Sequence, residues 1–359
     1  MTRLPHLDWL RGMAVLIMIE GHTLDAWTRV ADKKSSVYQW ATIVAGFGAP
    51  YFLFLAGVAL MLAAGARLRR GRTVSEVTRS ALRRGAWILA LAFLFRLQSF
   101  LISGGTFPRA LLKVDILNIM GVSMLAGSVG LALATTFRRR LLVFVTVTVA
   151  VAMATPLIRT TPLLDWLPDS LEAYLRPRPG FTTFTLFPWA AFFTAGCVVG
   201  AWIDARPGDV PRTHWWLAAI GVAVGLGAYA ASFLPPLYRE VSFWTSSPTF
   251  FFLRLGILMT SVAFAYALSR AWKGEALQEF GRASLFVYWI HVELVYGVLS
   301  APIHRRLPLA AAIAAFVAFS LAMFGLVRLK TAVQGRPTKT PAIGSASLPA
   351  GGNVPSKSV

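Results

Sequence analysis

Hydrophobic residues along this chain run in blocks of roughly 17 to 25 positions, the length a helix needs to cross a hydrocarbon core. Ten such blocks follow one another, at 10–26, 41–64, 85–101, 114–134, 141–158, 184–203, 215–234, 250–268, 284–300 and 309–329. Between them lie short clusters of arginine, proline and glycine. The pattern predicts an all-α protein, a polytopic transmembrane bundle of about ten helices, as one domain over 1–330. The stretch 331–359 is rich in Gly, Pro, Ser and Lys with no apolar period, so it reads as a disordered tail.

Composition sharpens that reading. Of 359 residues, 56% are hydrophobic and only 14% charged, against about 25% charged in a soluble domain. The net charge of +20 would suit a nucleic-acid binder. In a membrane protein it has a simpler cause, the gathering of Lys and Arg on the cytoplasmic side. No nucleic-acid partner is expected.

Odd-numbered connections carry Arg29, Lys33, Lys34, Arg109, Lys113, Arg159, Arg176, Arg178, Arg239, Arg305 and Arg306. The even connections and the two ends carry roughly twice as many, including Arg67, Arg69, Arg70 and Arg72, and Arg138, Arg139 and Arg140. Both termini are therefore expected in the cytoplasm. The first block follows Arg3 and Arg11 like a signal peptide, yet no A-x-A-like site follows Ala26, so it reads as a retained helix. Gly196 with Gly200, and Gly221 with Gly225, are GxxxG pairs suited to close helix packing.

Ionisable residues inside a span are costly and mark candidate sites. They are Glu20, His22, Arg96, Asp115, Arg254, His291 and Glu293. In the expected orientation His22, Arg96, Asp115, Arg254 and His291 fall between the midplane and the external face, which suggests a polar cavity open outward. The bland reading is a structural Arg96–Asp115 ion pair with Arg254 snorkelling to the surface.

On the first helix Asp8 and Arg11 share a face. His22 lies eleven residues on, nearly a whole number of turns, and Asp25 continues the stripe. A histidine backed by a carboxylate is the ordinary arrangement of a general base. The single cysteine, Cys197, excludes an internal disulfide and a cysteine-based metal site. The five histidines lack metal spacing, and no phosphate loop or G-x-S-x-G elbow occurs, so no metal is expected.

The segment Leu7-Asp-Trp-Leu-Arg-Gly-Met-Ala-Val-Leu-Ile-Met-Ile-Glu-Gly-His22 resembles the opening of a superfamily of membrane acyltransferases. The segments 47–57, 113–123, 185–196 and 281–291 resemble later blocks. The chain is similar both to the heparan-alpha-glucosaminide N-acetyltransferase catalytic-domain family with its bacterial relatives and to the acyltransferase 3 family. The Val-Asp-Ile-Leu and Phe-Pro-Trp blocks favour the first.

The resemblance implies transfer of an acyl group, usually acetyl, from coenzyme A on the cytoplasmic side to a sugar amine or hydroxyl outside. Acetyl-CoA or another acyl-CoA would be the donor. A saccharide or lipid-linked saccharide would be the acceptor and a bacterial inner membrane the location, with a homodimer left open. Asp8 and Arg11 would meet the coenzyme A phosphates, and His22 with Asp25 would activate the acceptor or carry the acyl group. Arg96, Asp115, Asn118, Arg254 and His291 would line the substrate cavity.

One departure stands out. In the lysosomal pattern an Asn matches His22 and the catalytic His sits in the following loop. Here the loop 27–38 has none. Either His22 has taken the role or the chemistry has changed. The reading from a different class is a transporter of an anionic or proton-coupled solute through the polar cavity.

Overall fold

The computed structural model describes residues 4–104 and 106–334. They form fourteen α-helices and no named strand. In chain order these are α1 (Pro5–Trp27), α2 (Ser36–Ala45), α3 (Gly48–Leu68), α4 (Val74–Ser103), α5 (Arg109–Leu112), α6 (Ile116–Leu133), α7 (Phe137–Thr160), α8 (Asp169–Leu175), α9 (Leu186–Asp204), α10 (Val210–Ala231), α11 (Pro248–Ala271), α12 (Glu275–Arg282), α13 (Ser284–Tyr296) and α14 (Leu309–Gln334). The expected tail begins inside α14, which continues to Gln334; 335–359 lie outside the described residues.

Among the described residues, eight stretches are long and apolar enough to cross a bilayer. Of the ten expected, α1 and α13 fall short. Helix α1 has 23 residues, enough for a span of about 30 Å, but it carries Asp8, Arg11, Glu20 and Asp25. Helix α13 has 13 residues, only about 20 Å. It follows the amphipathic α12 across a turn at Ala283. The block expected at 41–64 is broken at Gly46 and Phe47 into α2 and α3.

The helices associate in tightly approached pairs. Gly196 of α9 lies so close to α3 that a Cβ there would come within 2.8 Å of the Phe54 carbonyl carbon, and one on Gly200 within 2.6 Å of the Val58 carbonyl oxygen. Helix α10 meets α11 in the same way through Gly221. Without a hydrophobic drive between helices in lipid, such close backbone contact is a main source of association. The GxxxG pairs therefore serve packing.

Helix α1 touches α2, α3, α11, α12, α13 and α14. One side of it buries Val15, Met18 and Ile19 against Phe280, Val287, Met323 and Val327. Its far end is clasped by the segment after α13. Arg305 N–H donates to Ala26 O, Leu307 N–H to Trp27 O and Arg29 N–H to Leu307 O, each at 2.9 Å. At roughly 1 kcal/mol apiece, these bonds fix the height of α1 against α13. The Asp32 carboxylate joins the clasp, accepting from the first N–H of α14 (Leu309, 2.8 Å) and pairing with Arg29 at 2.9 Å. The Leu309 N–H, then Arg29, holds the Asp32 carboxyl below its ordinary range.

Candidate active site

The clasp brings two histidines to one level. His22 lies five residues before the end of α1 and His291 five before the end of α13, each about 8 Å in from its helix end. Their nearest nitrogens, His22 Nδ1 and His291 Nε2, are 2.8 Å apart. The ring planes are within 3° of parallel and the centroids 5.1 Å apart. Nitrogens that close with centroids that far apart place the rings edge to edge, so an N–H points along the partner's in-plane lone pair.

The backbone decides which nitrogen carries the proton. His291 Nδ1 lies 2.8 Å from the Val287 carbonyl oxygen. A carbonyl only accepts, so Nδ1 is the donor and Nε2 of the neutral ring is a bare acceptor. His22 Nδ1–H must then donate to it. This leaves the His22 lone pair on Nε2, on a half-buried ring with no other hydrogen bond among the described residues. His22 can accept a proton at Nε2 and keep its bond to His291, which is what a general base requires.

The Tyr296 ring stands over His22, centroids 5.6 Å apart, and its hydroxyl points to Asp25 Oδ2 at 3.4 Å. Asp25 was expected behind His22. Its carboxylate is instead held by Lys33 Nζ at 2.9 Å and is largely exposed, while the group seated against the His22 ring is His291. At the other end of α1, Asp8 and Arg11 form an ion pair at 3.2 Å. That end is pressed on α12: a Cβ on Gly12 would meet the Leu277 backbone, and one on Gly281 would come within 2.8 Å of Gly12 N.

The five expected cavity groups resolve into two pairs and one separate cation. Arg96 Nη2 meets Asp115 Oδ2 at 2.8 Å, both largely buried. Asp115 also caps α6, accepting from Leu117 N–H at 2.9 Å, and Asn118 returns the favour through its side-chain oxygen to Asp115 N–H at 3.1 Å, a reciprocal capping box. Asn118 Nδ2 donates to the Tyr174 hydroxyl at 3.1 Å. Tyr174 is on α8, in a loop tied down by Glu172, which binds both Arg176 and Arg178.

Tyr288 lies between the pairs, 5.9 Å from the His291 ring and 5.7 Å from that of Phe95. Arg254 is apart. Its guanidinium stacks on Phe250 at 4.0 Å and lies 5.7 Å from the Phe47 ring, at the break between α2 and α3. Its Nε is buried without a partner among the described residues.

Sequence reasoning did not single out Tyr296, Tyr288 or Tyr174. A tyrosine inside an apolar block carries no signal until its neighbours are known.

No curated protein matches the chain. The family model described as heparan-alpha-glucosaminide N-acetyltransferase, catalytic, matches residues 3–230. That is well over half of the 359 residues. It takes in Asp8, Arg11, His22, Asp25, Arg96, Asp115 and Asn118, and ends in α10, before Arg254, His291 and Tyr296. This match places the chain, a multi-pass membrane protein, in the heparan-alpha-glucosaminide N-acetyltransferase catalytic family, a family of acetyltransferases.

Proposed function

We propose that the protein transfers an acetyl group from acetyl-CoA on the cytoplasmic side to an amine or hydroxyl of a saccharide or lipid-linked saccharide on the external side of a bacterial inner membrane. The observation that carries this reading is the His22–His291 bond, which leaves a single basic nitrogen, His22 Nε2, on a ring whose orientation is fixed. The acceptor N–H or O–H gives its proton to Nε2 as its heteroatom bonds to the thioester carbon. The carbon–sulfur bond then breaks, and the proton passes to the leaving sulfur as coenzyme A departs as the free thiol. The imidazolium formed on the way keeps its Nδ1–H on His291, so the charge develops without loss of a hydrogen bond.

The arginine-rich loops support the orientation, with both termini inside. In it Asp8 and Arg11 lie at the donor end of α1, where Arg11 would attract phosphates. Asp25 and Tyr296 lie at the acceptor end, where an exposed carboxylate suits an amino sugar. Arg96 and Asp115 hold the first turn of α6 and reach the histidines only through Tyr288, so their role is to support the site.

The test is transfer of label from radiolabelled acetyl-CoA to a panel of amino sugars by the purified protein. The reading expects a labelled product with wild type and a loss of about 10²- to 10⁴-fold with His22→Ala, the range for removal of a general base. Equal rates for the two proteins would sink it.

A further inference from the structure

Where α9 turns into α10, a cleft of about 480 Å³ is lined by Trp202, Arg206, Asp209, Arg212, Trp216 and Ile220. It is on the same end of the bundle as the start of α1, because His214, between the cleft residues Arg212 and Trp216 in the chain, lies 3.2 Å from His6, Nε2 to Nε2. His214 also stacks on Tyr266, centroids 4.1 Å apart. This His6–His214–Tyr266 cluster ties α1 to α10 and α11, and Trp216 in the cleft is exposed. Its residues follow the depth order of a membrane interface. The charged ones lie in the turn and the first turn of α10, while Trp216 and Ile220 lie further along α10.

The charges are arranged for a ligand. The Arg206 guanidinium sits 4.3 Å from the Trp202 ring centroid and 5.4 Å from that of Phe137. Neither Arg206 nor Arg212 forms an ion pair with Asp209 or any other carboxylate among the described residues. The Trp202 indole N–H is buried without an acceptor. Two guanidinium groups and an indole N–H ask for an oxyanion. The lone carboxylate beside them asks for a cation on the same ligand, and the apolar wall asks for a chain. A basic interfacial pocket between spanning helices is a recurrent lipid headgroup site.

We propose that this corner binds a phospholipid whose headgroup carries both a phosphate and a primary amine. Arg206 and Arg212 hold the phosphate, Asp209 accepts from the ammonium, and an acyl chain lies along Trp216 and Ile220. The site is separate from His22 and does not depend on acetyl transfer.

The experiment is native mass spectrometry of the full protein in detergent, titrated with dioleoyl phosphatidylethanolamine or dioleoyl phosphatidylcholine. Both lipids are zwitterionic, but only the first can donate N–H to Asp209. Wild type is expected to favour the ethanolamine lipid by about tenfold, the worth of one charge-assisted hydrogen bond. Asp209→Ala, which removes the acceptor, should abolish that preference. Arg206→Gln and Arg212→Gln, both at exposed positions, should weaken both lipids. Arg79→Gln, in a different basic cluster on α4, should match wild type. The proposal is overturned if the two lipids bind equally or if Asp209→Ala keeps the preference. It is also overturned if Arg79→Gln acts like Arg206→Gln, or if added coenzyme A displaces the lipid.

Discussion

If His291 sets the tautomer of His22, replacing it should slow acetyl transfer without removing the base. His291→Leu keeps much of the side-chain volume and takes away the acceptor for His22 Nδ1–H, which sits 2.8 Å from it. Leaving a buried donor unpaired costs about 1–3 kcal/mol. A freed ring can also present Nε2 protonated, the wrong form for a base. The expected fall in kcat is roughly 10- to 100-fold, smaller than for His22→Ala, with little change in KM for acetyl-CoA.

His291→Gln restores an oxygen that can accept from Nδ1–H and should recover part of the loss. Initial rates with radiolabelled acetyl-CoA, set beside thermal unfolding midpoints, separate a chemical effect from a structural one. If His291→Leu turned over as fast as wild type, the tautomer argument would be wrong. Equal slowing by Leu and Gln, with unchanged unfolding midpoints, would refute it as well.

Other outcomes follow from the same geometry. Asp115→Asn keeps a capping side chain but leaves Arg96 buried without its countercharge, and should destabilise the protein by about 3–5 kcal/mol, read by thermal unfolding in detergent. Asp32 has its carboxyl pKa depressed in the folded state, so its contribution is present above the unfolded value of about 4 and is lost as pH falls through the lower folded value. Asp32→Asn should therefore lower the unfolding midpoint at pH 7 and flatten its acid limb between pH 5 and 2. Gly12→Leu drives a side chain into the Leu277 backbone and should disrupt the α1–α12 contact by more than the 1–3 kcal/mol of ordinary overpacking, seen as lost expression or a lowered midpoint. A reporter fused after α14 should report the cytoplasm; an external signal would reverse the proposed direction of transfer.

Much of the fold was legible because a bilayer admits few solutions. Block length and loop arginines are one-dimensional signals. Their failures have physical causes. Residues 275–282 carry Glu275, Gln278, Glu279 and Arg282, and a polar stretch reads as a loop until α1 is there to cover Phe280 and Gly281. The break between α2 and α3 falls inside a continuous apolar run, where hydropathy is blind to direction.

For the site, sequence singled out His22 and His291 separately, as ionisable groups in apolar surroundings. It could not join them, since 269 residues separate the two. It joined His22 to Asp25 because helical spacing sees only one helix. The structure turns Asp25 toward Lys33 and Tyr296, and brings the ring's partner from α13. The Arg96–Asp115 pair was legible as a structural ion pair. Its link through Asn118 to Tyr174 was not, because a loop's return path leaves no periodicity.

The central claim is that His22 drives acetyl transfer across the membrane, and sealed proteoliposomes test it most directly. The protein is oriented with its arginine-rich face outward, radiolabelled acetyl-CoA is added outside, and an amino sugar is trapped within. The account predicts labelled sugar inside the vesicles with wild type and little or none with His22→Ala. Labelled sugar formed at the same rate by His22→Ala, or formed only when both substrates share one compartment, would contradict it.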